Sequence, residues 1–469
     1  MAKQTTFDVI IIGSGSAGFS AVEAAVSQGA RVCLIEKEHL GGECPNEACI
    51  PSKALLKAAS VYRTLGGVRE FGIDASGRSF DWKKVQVYRE RVVTTITGGS
   101  SGERYVQILK RLKVAWKKGE ARFIDPNTVE VQGERLNARA FVIATGSQDF
   151  IPPIDGLRTI RFWGWKEALK APRQPKSLAI IGGGPVACEV ATFYASFGTR
   201  VMVLQSAPAV LHREDEEISH RAKVALEALG VEVRLRAKVV SCVNGGMGAV
   251  GLKVDVDGQE EVYAVEAVMV AAGKRPHTEG LQLERVQLSF ASEELTTNVQ
   301  QQTSSSHIFA AGDVDGGFMF THTAHEEGWV AGHNAALVAL KKRSPRLKVD
   351  ERVVPRVTFI DPEVASVGWT HVQAKQKYGS VLVGRFETSA LGRSVTDHAP
   401  AGLIKLVAHP KTRKLLGAHA LCSGAGEMIH EAALVMYLGA TIDTLASMIH
   451  AFPTCAEGWR AAASVARVE

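Results

Sequence analysis

The sequence predicts an α/β protein with two Rossmann-like dinucleotide-binding units, followed by a third region of different character. Three observations predict it. Residues 7–12, Phe-Asp-Val-Ile-Ile-Ile, form a short apolar run that leads into Gly13-Ser14-Gly15-Ser16-Ala17-Gly18 and an Ala-rich stretch to about Gly29. The same plan recurs at 178–205. From about residue 350 the pattern changes to strands, with two helices expected near 426–438 and 456–466.

Each element has its physical reason. A continuous apolar run suits a strand buried on both faces of a parallel sheet. In the first unit, 31–35 is the second strand and Glu36 ends it, eighteen residues after Gly18. Gly13 and Gly15 permit a tight turn and close approach of a pyrophosphate. The following helix offers free N–H groups and the positive end of its dipole, and Glu36 can accept hydrogen bonds from a ribose diol. In the second unit, 178–181 is the strand, Gly182-Gly183-Gly184-Pro185-Val186-Ala187 the turn, and 200–204 the next strand. That strand ends in Gln205-Ser206 instead of an acid, with His212 and Arg213 beyond. A carboxylate there would favour the bare ribose of NAD and repel a 2′-phosphate. Gln205 removes the repulsion without supplying a phosphate clamp, which leaves NAD and NADP both open with the balance toward NADP. Between the units, 85–115 reads as helix, 117–143 as short strands, and 152–156, Pro-Pro-Ile-Asp-Gly, as an interdomain linker. After Gly273-Lys274-Arg275-Pro276 the chain is expected to return to the first domain, where Ala310-Ala311-Gly312-Asp313 closes a strand.

Bulk composition sets the class. At roughly 100–200 residues per domain, 469 residues suggest about three domains. The chain is 46% hydrophobic and 22% charged, ordinary for a globular protein with large cores. A formal charge of +6 suits anionic ligands such as nucleotides, and without a long Lys/Arg run it does not point to nucleic acid. No apolar stretch is long enough to span a membrane, and early glycines with Glu23 break any secretory core, so a cytoplasmic protein is expected.

The seven cysteines are an odd number and mostly far apart, which is not a disulfide framework. One pair is close, in Gly41-Gly42-Glu43-Cys44-Pro45-Asn46-Glu47-Ala48-Cys49-Ile50-Pro51-Ser52-Lys53. Two cysteines five apart at a helix start can close a small ring. The helix N-terminus, with Lys53 one turn beyond Cys49, is expected to lower a thiol pKa and favour thiolate. A zinc half-site and two unrelated buried cysteines are the alternatives. No second Cys/His pair has ligand spacing, so no bound metal is expected.

With these motifs in view, the chain resembles the flavoprotein disulfide reductases: glutathione reductase, dihydrolipoamide dehydrogenase and mercuric reductase. The resemblance covers essentially the whole length, with the motifs in family order: the cysteine segment at 41–53, Ala144-Thr145-Gly146, Glu189, Gly312-Asp313, and a C-terminal interface domain at 354–368 and 417–431. It implies FAD held by 1–150 and 276–349, NAD(P)H held by 151–275, and a homodimer built through 350–469. The implied FAD residues are Gly13, Gly15, Ser16, Ala17, Gly18, Glu36, Lys37, Gly42, Glu43, Cys44, Lys53, Ala121, Thr145, Gly146, Ser147, Gly312, Asp313, Thr321 and Ala324. The implied nicotinamide residues are Gly182, Gly184, Pro185, Val186, Gln205, Ser206, Gly273 and Arg275. By the same resemblance, NAD(P)H reduces the flavin, Cys49 is the flavin-proximal thiol, and Cys44 is the interchange thiol that meets substrate. Lys53 and Glu189 pair near the reacting flavin nitrogen.

The chain departs from the family at the site of the acid/base. Disulfide and lipoamide members carry His-Pro-Thr-x-x-Glu, whereas here the segment is Phe452-Pro453-Thr454-Cys455-Ala456-Glu457. Phe452 cannot transfer a proton. His450 would substitute if it shared a face with 452, and Glu457 is left without its expected partner. Mercuric reductases also lack that His, yet their N-terminal metal-capture domain and C-terminal cysteine pair have no counterpart in these residues. Cys455 reads either as a third ligand for a metal or substrate or, more simply, as a buried interface cysteine. Pro185 replaces a Tyr that gates the nicotinamide pocket in glutathione reductases. The expectation is an NAD(P)H-driven reductase of a metal ion or unusual disulfide. The alternatives are a divergent dihydrolipoamide dehydrogenase and an interaction subunit that keeps FAD as a structural element. A membrane quinone reductase would have no need of the cysteine pair.

Overall fold

A computed structural model of the chain describes residues 5–99, 102–246, 248–288, 290–291 and 294–469. Contacts divide it into two units: 1–54 with 87–150 and 273–351, and 55–86 with 151–272 and 352–469.

The first unit is organised by the strand Thr5–Ile12, which pairs in parallel with Val32–Glu36 on one side and Glu134–Ile143 on the other. Its register sets Ile12 beside both Ile35 and Ile143. Ala115–Lys118 and Ile308–Ala310 extend the parallel part, and Thr128–Val131 with Ala121–Asp125 add an antiparallel flap. Val9, Ile10 and Ile11 are wholly buried, as expected of a strand covered on both faces. On one face the helices Ser16–Ser27 and Thr321–Ala339 meet with almost no side chain between them. A Cβ on Gly328 would fall 2.1 Å from the carbonyl oxygen of Ala17, and one on Gly332 would fall 2.2 Å from that of Ala21. The expected helix over 85–115 is two helices, Trp82–Thr97 and Glu103–Arg111, because Gly98, Gly99 and Gly102 all take positive φ. The expected strands over 117–143 are present, the first of them starting at Ala115.

In the second unit, Ser177–Ile181, Arg200–Gln205, Glu232–Leu235 and Ala267–Val270 form a four-stranded parallel sheet. An antiparallel layer of Ala237–Asn244, Val250–Val256 and Gln259–Val265 packs with it. Residues 152–156, expected as a linker, are pinned into this unit: Cys242 N donates to Asp155 O at 2.8 Å and the adjoining Leu157 is buried. The C-terminal part is a six-stranded antiparallel sheet, ordered Arg356–Thr358, Glu363–Gly368, Leu415–Cys422, Leu403–Ala408, Leu382–Glu387 and Arg467–Val468. It is covered by the expected helices Ala425–Tyr437 and Glu457–Ser464, and by Ile442–Ser447, which the sequence reading missed. Among the described residues no helix is long and apolar enough to cross a membrane.

Candidate active site

The two glycine turns have the same construction. Gly13 takes φ +100° and Gly182 φ +115°. A Cβ on either would lie 2.2 Å from a carbonyl oxygen, that of Ala144 or Ala271. These first glycines are required by backbone packing. Gly15 and Gly184 cap the helices Ser16–Ser27 and Pro185–Ser196 without any side-chain cap, and a Cβ on either would meet open space. Each helix therefore presents unclaimed N–H groups to an accessible cradle, which fits a pyrophosphate. Gly18 is required by closeness to Gly13, whose carbonyl oxygen lies 2.0 Å from where its Cβ would be.

Glu36 is buried at the end of its strand, and its carboxylate is held by the protein. Ser14 N donates at 2.9 Å and Ser14 Oγ at 2.6 Å to Oε2, and Glu38 N donates at 2.7 Å to Oε1. This fixes the carboxylate while leaving Oε1 acceptor capacity for a ribose hydroxyl. Gln205 is buried and turns its amide back on its own loop, donating to Ala209 O at 3.2 Å, while Ser206 is exposed. Pro185 occupies the first turn of its helix, where the missing N–H costs nothing, and Val186 beside it is exposed.

Around the first turn the other expected residues fall into linked pairs. Lys37 Nζ lies 3.2 Å from His277 Nε2, and Thr145 Oγ1 donates to His277 O at 2.6 Å. Glu43 pairs with Lys274 at 3.3 Å, and Ser147 Oγ donates to Asp313 Oδ2 at 2.5 Å. Gly312 takes φ +79°, and a Cβ there would also press on Ala17 and Ala324. Gly146 and Gly273 also have positive φ, and Arg275 is exposed on a short ribbon strand that pairs with Ser147–Asp149. Ala121 is buried in the sheet core.

The cysteine segment sits directly on this turn, since a Cβ on Gly42 would meet Gly15 Cα at 2.5 Å. Cys44 lies in the one-turn helix Glu43–Asn46, and Cys49 opens the separate helix Cys49–Gly67. The two thiols hydrogen-bond to each other. Cys49 Sγ also lies 3.5 Å from Thr321 Oγ1, and Ser16 Oγ donates to Thr321 O at 2.8 Å. The expectation of a lowered thiol pKa is corrected for Cys44. Its hydrogen bond to Cys49, and then burial, raise it well above the ordinary thiol range, while Thr321 and Lys53 pull the other way and lose. The contact between the two thiols therefore disfavours the Cys44 thiolate. Tyr105, which the sequence reading missed, lies against Gly41, and burial raises its phenol.

Ser14, His277, Lys274 and Glu327 were also missed. Glu327 is buried and accepts from Gly312 N at 2.5 Å, and burial with the Asp315 charge raises its carboxyl to about 9. Nothing in the local sequence distinguishes it from a solvent-facing helical Glu.

In the second unit, Glu189 is buried and accepts from Phe359 N at 3.1 Å. Phe452 is 79% exposed. His450 does not share its face. Its side chain is buried, with Nε2 2.8 Å from Glu431 Oε1 and Nδ1 3.2 Å from Met448 O. Both ring nitrogens are thus turned to acceptors within the C-terminal domain and away from the exposed position of Phe452. Glu457 accepts from Thr454 N at 3.0 Å at the start of its helix. Cys455 is half-buried against the C-terminal core, and burial raises its thiol.

Two dinucleotide folds and a hydrogen-bonded cysteine pair set on the first glycine turn define an oxidoreductase that couples a dinucleotide to a dithiol. The chain belongs to the pyridine nucleotide-disulphide oxidoreductase family, which residues 7–328 match, and 354–463 match the family's dimerisation domain. A mercuric reductase of Staphylococcus aureus is 33% identical over 97% of this chain and 82% of its own length. A dihydrolipoyl dehydrogenase of Thermus scotoductus is 36% identical over 98% of this chain and 97% of its own. The solved Cu(II) complex of the HOCl-induced flavoprotein disulfide reductase RclA from Escherichia coli superposes with a TM-score of 0.85 at 26% identity, covering 98% of this chain and 100% of that one. Enzymes of this family are FAD-dependent and use NAD(P)H, and this chain is such an enzyme.

Proposed function

We propose that this enzyme passes electrons from NAD(P)H through FAD and the Cys44–Cys49 pair to a soft metal ion or an unusual disulfide, as a cytoplasmic reductase similar to mercuric reductase. The observation that carries the reading is an intact dithiol combined with Phe452 where lipoamide and glutathione reductases have their base. Exchange between a thiol and a disulfide needs a proton moved at the interchange sulfur. Delivering electrons to a thiolate-bound metal ion does not. His450 does not stand in for it, since its side chain is buried against Glu431 while the position of Phe452 is exposed.

The domain reading follows the resemblance: 1–150 and 276–349 hold FAD, 151–275 the nicotinamide dinucleotide, and 350–469 the dimer contact. When bound, FAD supplies the two-electron relay between the nicotinamide and the dithiol. The chain's own residues do the rest. Glu36 and the free N–H groups after Gly15 orient the dinucleotide. By the resemblance, Cys49 would be the thiol that faces the flavin, Lys53 and Glu189 would each serve its reduction, and Cys44 would receive the acceptor. Gln205 and Ser206 take the ribose of the second dinucleotide, and the missing acid favours NADPH.

Anaerobic titration with NADPH and with NADH, followed by Hg(II) or lipoamide, tests this. The expected result is a long-wavelength absorbance band at two electrons that Hg(II) discharges and lipoamide does not. Rapid turnover of dihydrolipoamide would instead establish the second reading, a divergent dihydrolipoyl dehydrogenase. Direct flavin bleaching without the band would remove the cysteines from the pathway.

A homodimer is supported by an exposed apolar set on the C-terminal domain, Leu434, Tyr437, Leu438, Ile449 and Phe452, with Ile449 90% exposed. Light scattering is expected to give twice the chain mass, and a monomer would overturn the assignment.

A further inference from the structure

The loop 206–213, which joins the strand Arg200–Gln205 to the helix Glu216–Ala228, is fastened at both ends. On the nucleotide side Leu211, at φ +46°, donates its N–H to Gly183 O at 2.8 Å, inside the glycine turn. Glu214 N donates to Leu211 O at 2.8 Å, and Ser219 Oγ donates to Val210 O at 2.5 Å. On the other side, the acids just after the loop are gripped by the C-terminal sheet. Arg356 donates to both oxygens of Glu214, at 2.7 and 3.1 Å, and Ser366 Oγ donates to the same carboxylate. Lys405 lies 2.8 and 2.9 Å from the two oxygens of Asp215 and 2.6 Å from Glu217 Oε1, and His371 N donates to Asp215 at 3.1 Å. Arg385 continues the network from Glu217 to Glu469.

The burial of this network is unusual. The Lys405 side chain is 2% exposed and that of Asp215 is 1% exposed. Burial opposes the charge on Asp215, but His419, Lys405 and the His371 N–H more than offset it and hold the carboxyl below its ordinary value. Hydrophobic residues of similar volume would fill the space at no loss of stability. What they would not do is fix the position of a loop, which several directional bonds do.

We propose that Arg356 and Lys405, on the C-terminal domain, are positioning residues for the nicotinamide dinucleotide. Through Glu214 and Asp215 they hold loop 206–213 against Gly183, in the conformation that receives the adenosine end. The inference rests on the assignment of Gln205 and Ser206 to that dinucleotide. It adds that affinity for the nucleotide is set in part from the domain assigned to dimer contact. A loop that occupies its binding conformation only a fraction of the time weakens apparent affinity by that fraction.

The test uses the FAD-loaded enzyme. Arg356→Met, Arg356→Lys and the paired Glu214→Gln/Arg356→Gln variant are compared by calorimetric Kd for NADP+ and NAD+, and by KM against kcat. The paired variant leaves no buried unpaired charge and so keeps the fold. Ser206→Glu serves as a probe of the loop itself. Kd and KM are expected to rise about five- to tenfold in Arg356→Met and the paired variant, with kcat within about twofold of the parent, as a loop released from one conformation predicts. Arg356→Lys is expected to recover part of the affinity, because it keeps the charge and loses the bidentate geometry. Unchanged Kd in the Arg356 variants, with Ser206→Glu altering NADP+ binding, would overturn the inference and leave the loop assignment standing. Unchanged binding in Ser206→Glu as well would overturn both.

Discussion

Replacing Cys49 by Ser is expected to make Cys44 a faster nucleophile, while turnover of the terminal acceptor falls by about a thousandfold or more, as for loss of an essential covalent group. The two effects have one origin. The Cys44 thiol is raised first by its hydrogen bond with Cys49 and then by burial. Removing the Cys49 sulfur removes the first cause. The Thr321 and Lys53 contributions, which lower the Cys44 pKa, then face burial alone. A larger thiolate fraction at neutral pH means faster alkylation. The measurement is the iodoacetamide rate of Cys44 against pH in the anaerobic reduced protein, read by peptide mass spectrometry. The profile is expected to move to lower pH in Cys49→Ser. In Cys44→Ser, Cys49 keeps Thr321 Oγ1 and the N-terminus of its own 19-residue helix, so its alkylation profile is the control against which the Cys44 change is read. An unmoved Cys44 profile in Cys49→Ser would mean that the thiols are not coupled. The dithiol mechanism would then lose its basis.

What was legible in the sequence was what chemistry writes locally. A strand buried on both faces must be apolar throughout, and a turn that brings a carbonyl within 2.2 Å of a Cβ position must be Gly. Residues 7–18 and 178–187 therefore declare themselves. The cysteine segment is also local, yet it misled in detail. Its two thiols lie on two helices, and the expected thiolate stabilisation was assigned without the hydrogen bond between them. The break of the helix after Thr97 is written in Gly98, Gly99 and Gly102, which the single helix expected over 85–115 passes over. The remaining omissions are long-range. Glu214 meets Arg356 across 142 positions and Ser147 meets Asp313 across 166, and no window of sequence contains both partners. Phe452 has no group that moves a proton, and that much is local. The direction of His450, two residues away, was set by Glu431 on another element.

Glu327 illustrates the same limit and carries the largest expected effect on stability. Its carboxyl sits at about 9 because burial, then the Asp315 charge, outweigh the Gly312 N–H that favours ionisation, while a hydrogen bond with Glu351 also raises it. Asp315 is itself raised to about 7, chiefly by burial. In the unfolded chain a Glu titrates near about 4.3 and an Asp near about 3.9. Between those values and the raised ones the folded protein holds protons that the unfolded chain has released. Stability must therefore fall as pH rises, at about 1.4 kcal/mol per pH unit for each proton of difference. The contribution of Glu327 is complete at acid pH and is lost as pH climbs through about 9, and that of Asp315 is lost through about 7. Asp215 and Glu217, with lowered carboxyls, act in the opposite sense and lose their contribution as pH falls into the acid range. Glu327→Gln keeps an acceptor for Gly312 N and a donor toward Glu351 and cannot ionise. The thermal midpoint of the holoenzyme, followed from pH 5 to pH 9, is expected to decline in the parent and to flatten in Glu327→Gln, with the curves closest at pH 5 and the variant higher at pH 9. Asp315→Asn, by removing the neighbouring charge, is expected to flatten the same profile partially. Parallel curves for parent and Glu327→Gln would show that Glu327 is ionised in the folded enzyme, and that the carboxyl beneath the Gly312-Asp313 turn is not held neutral.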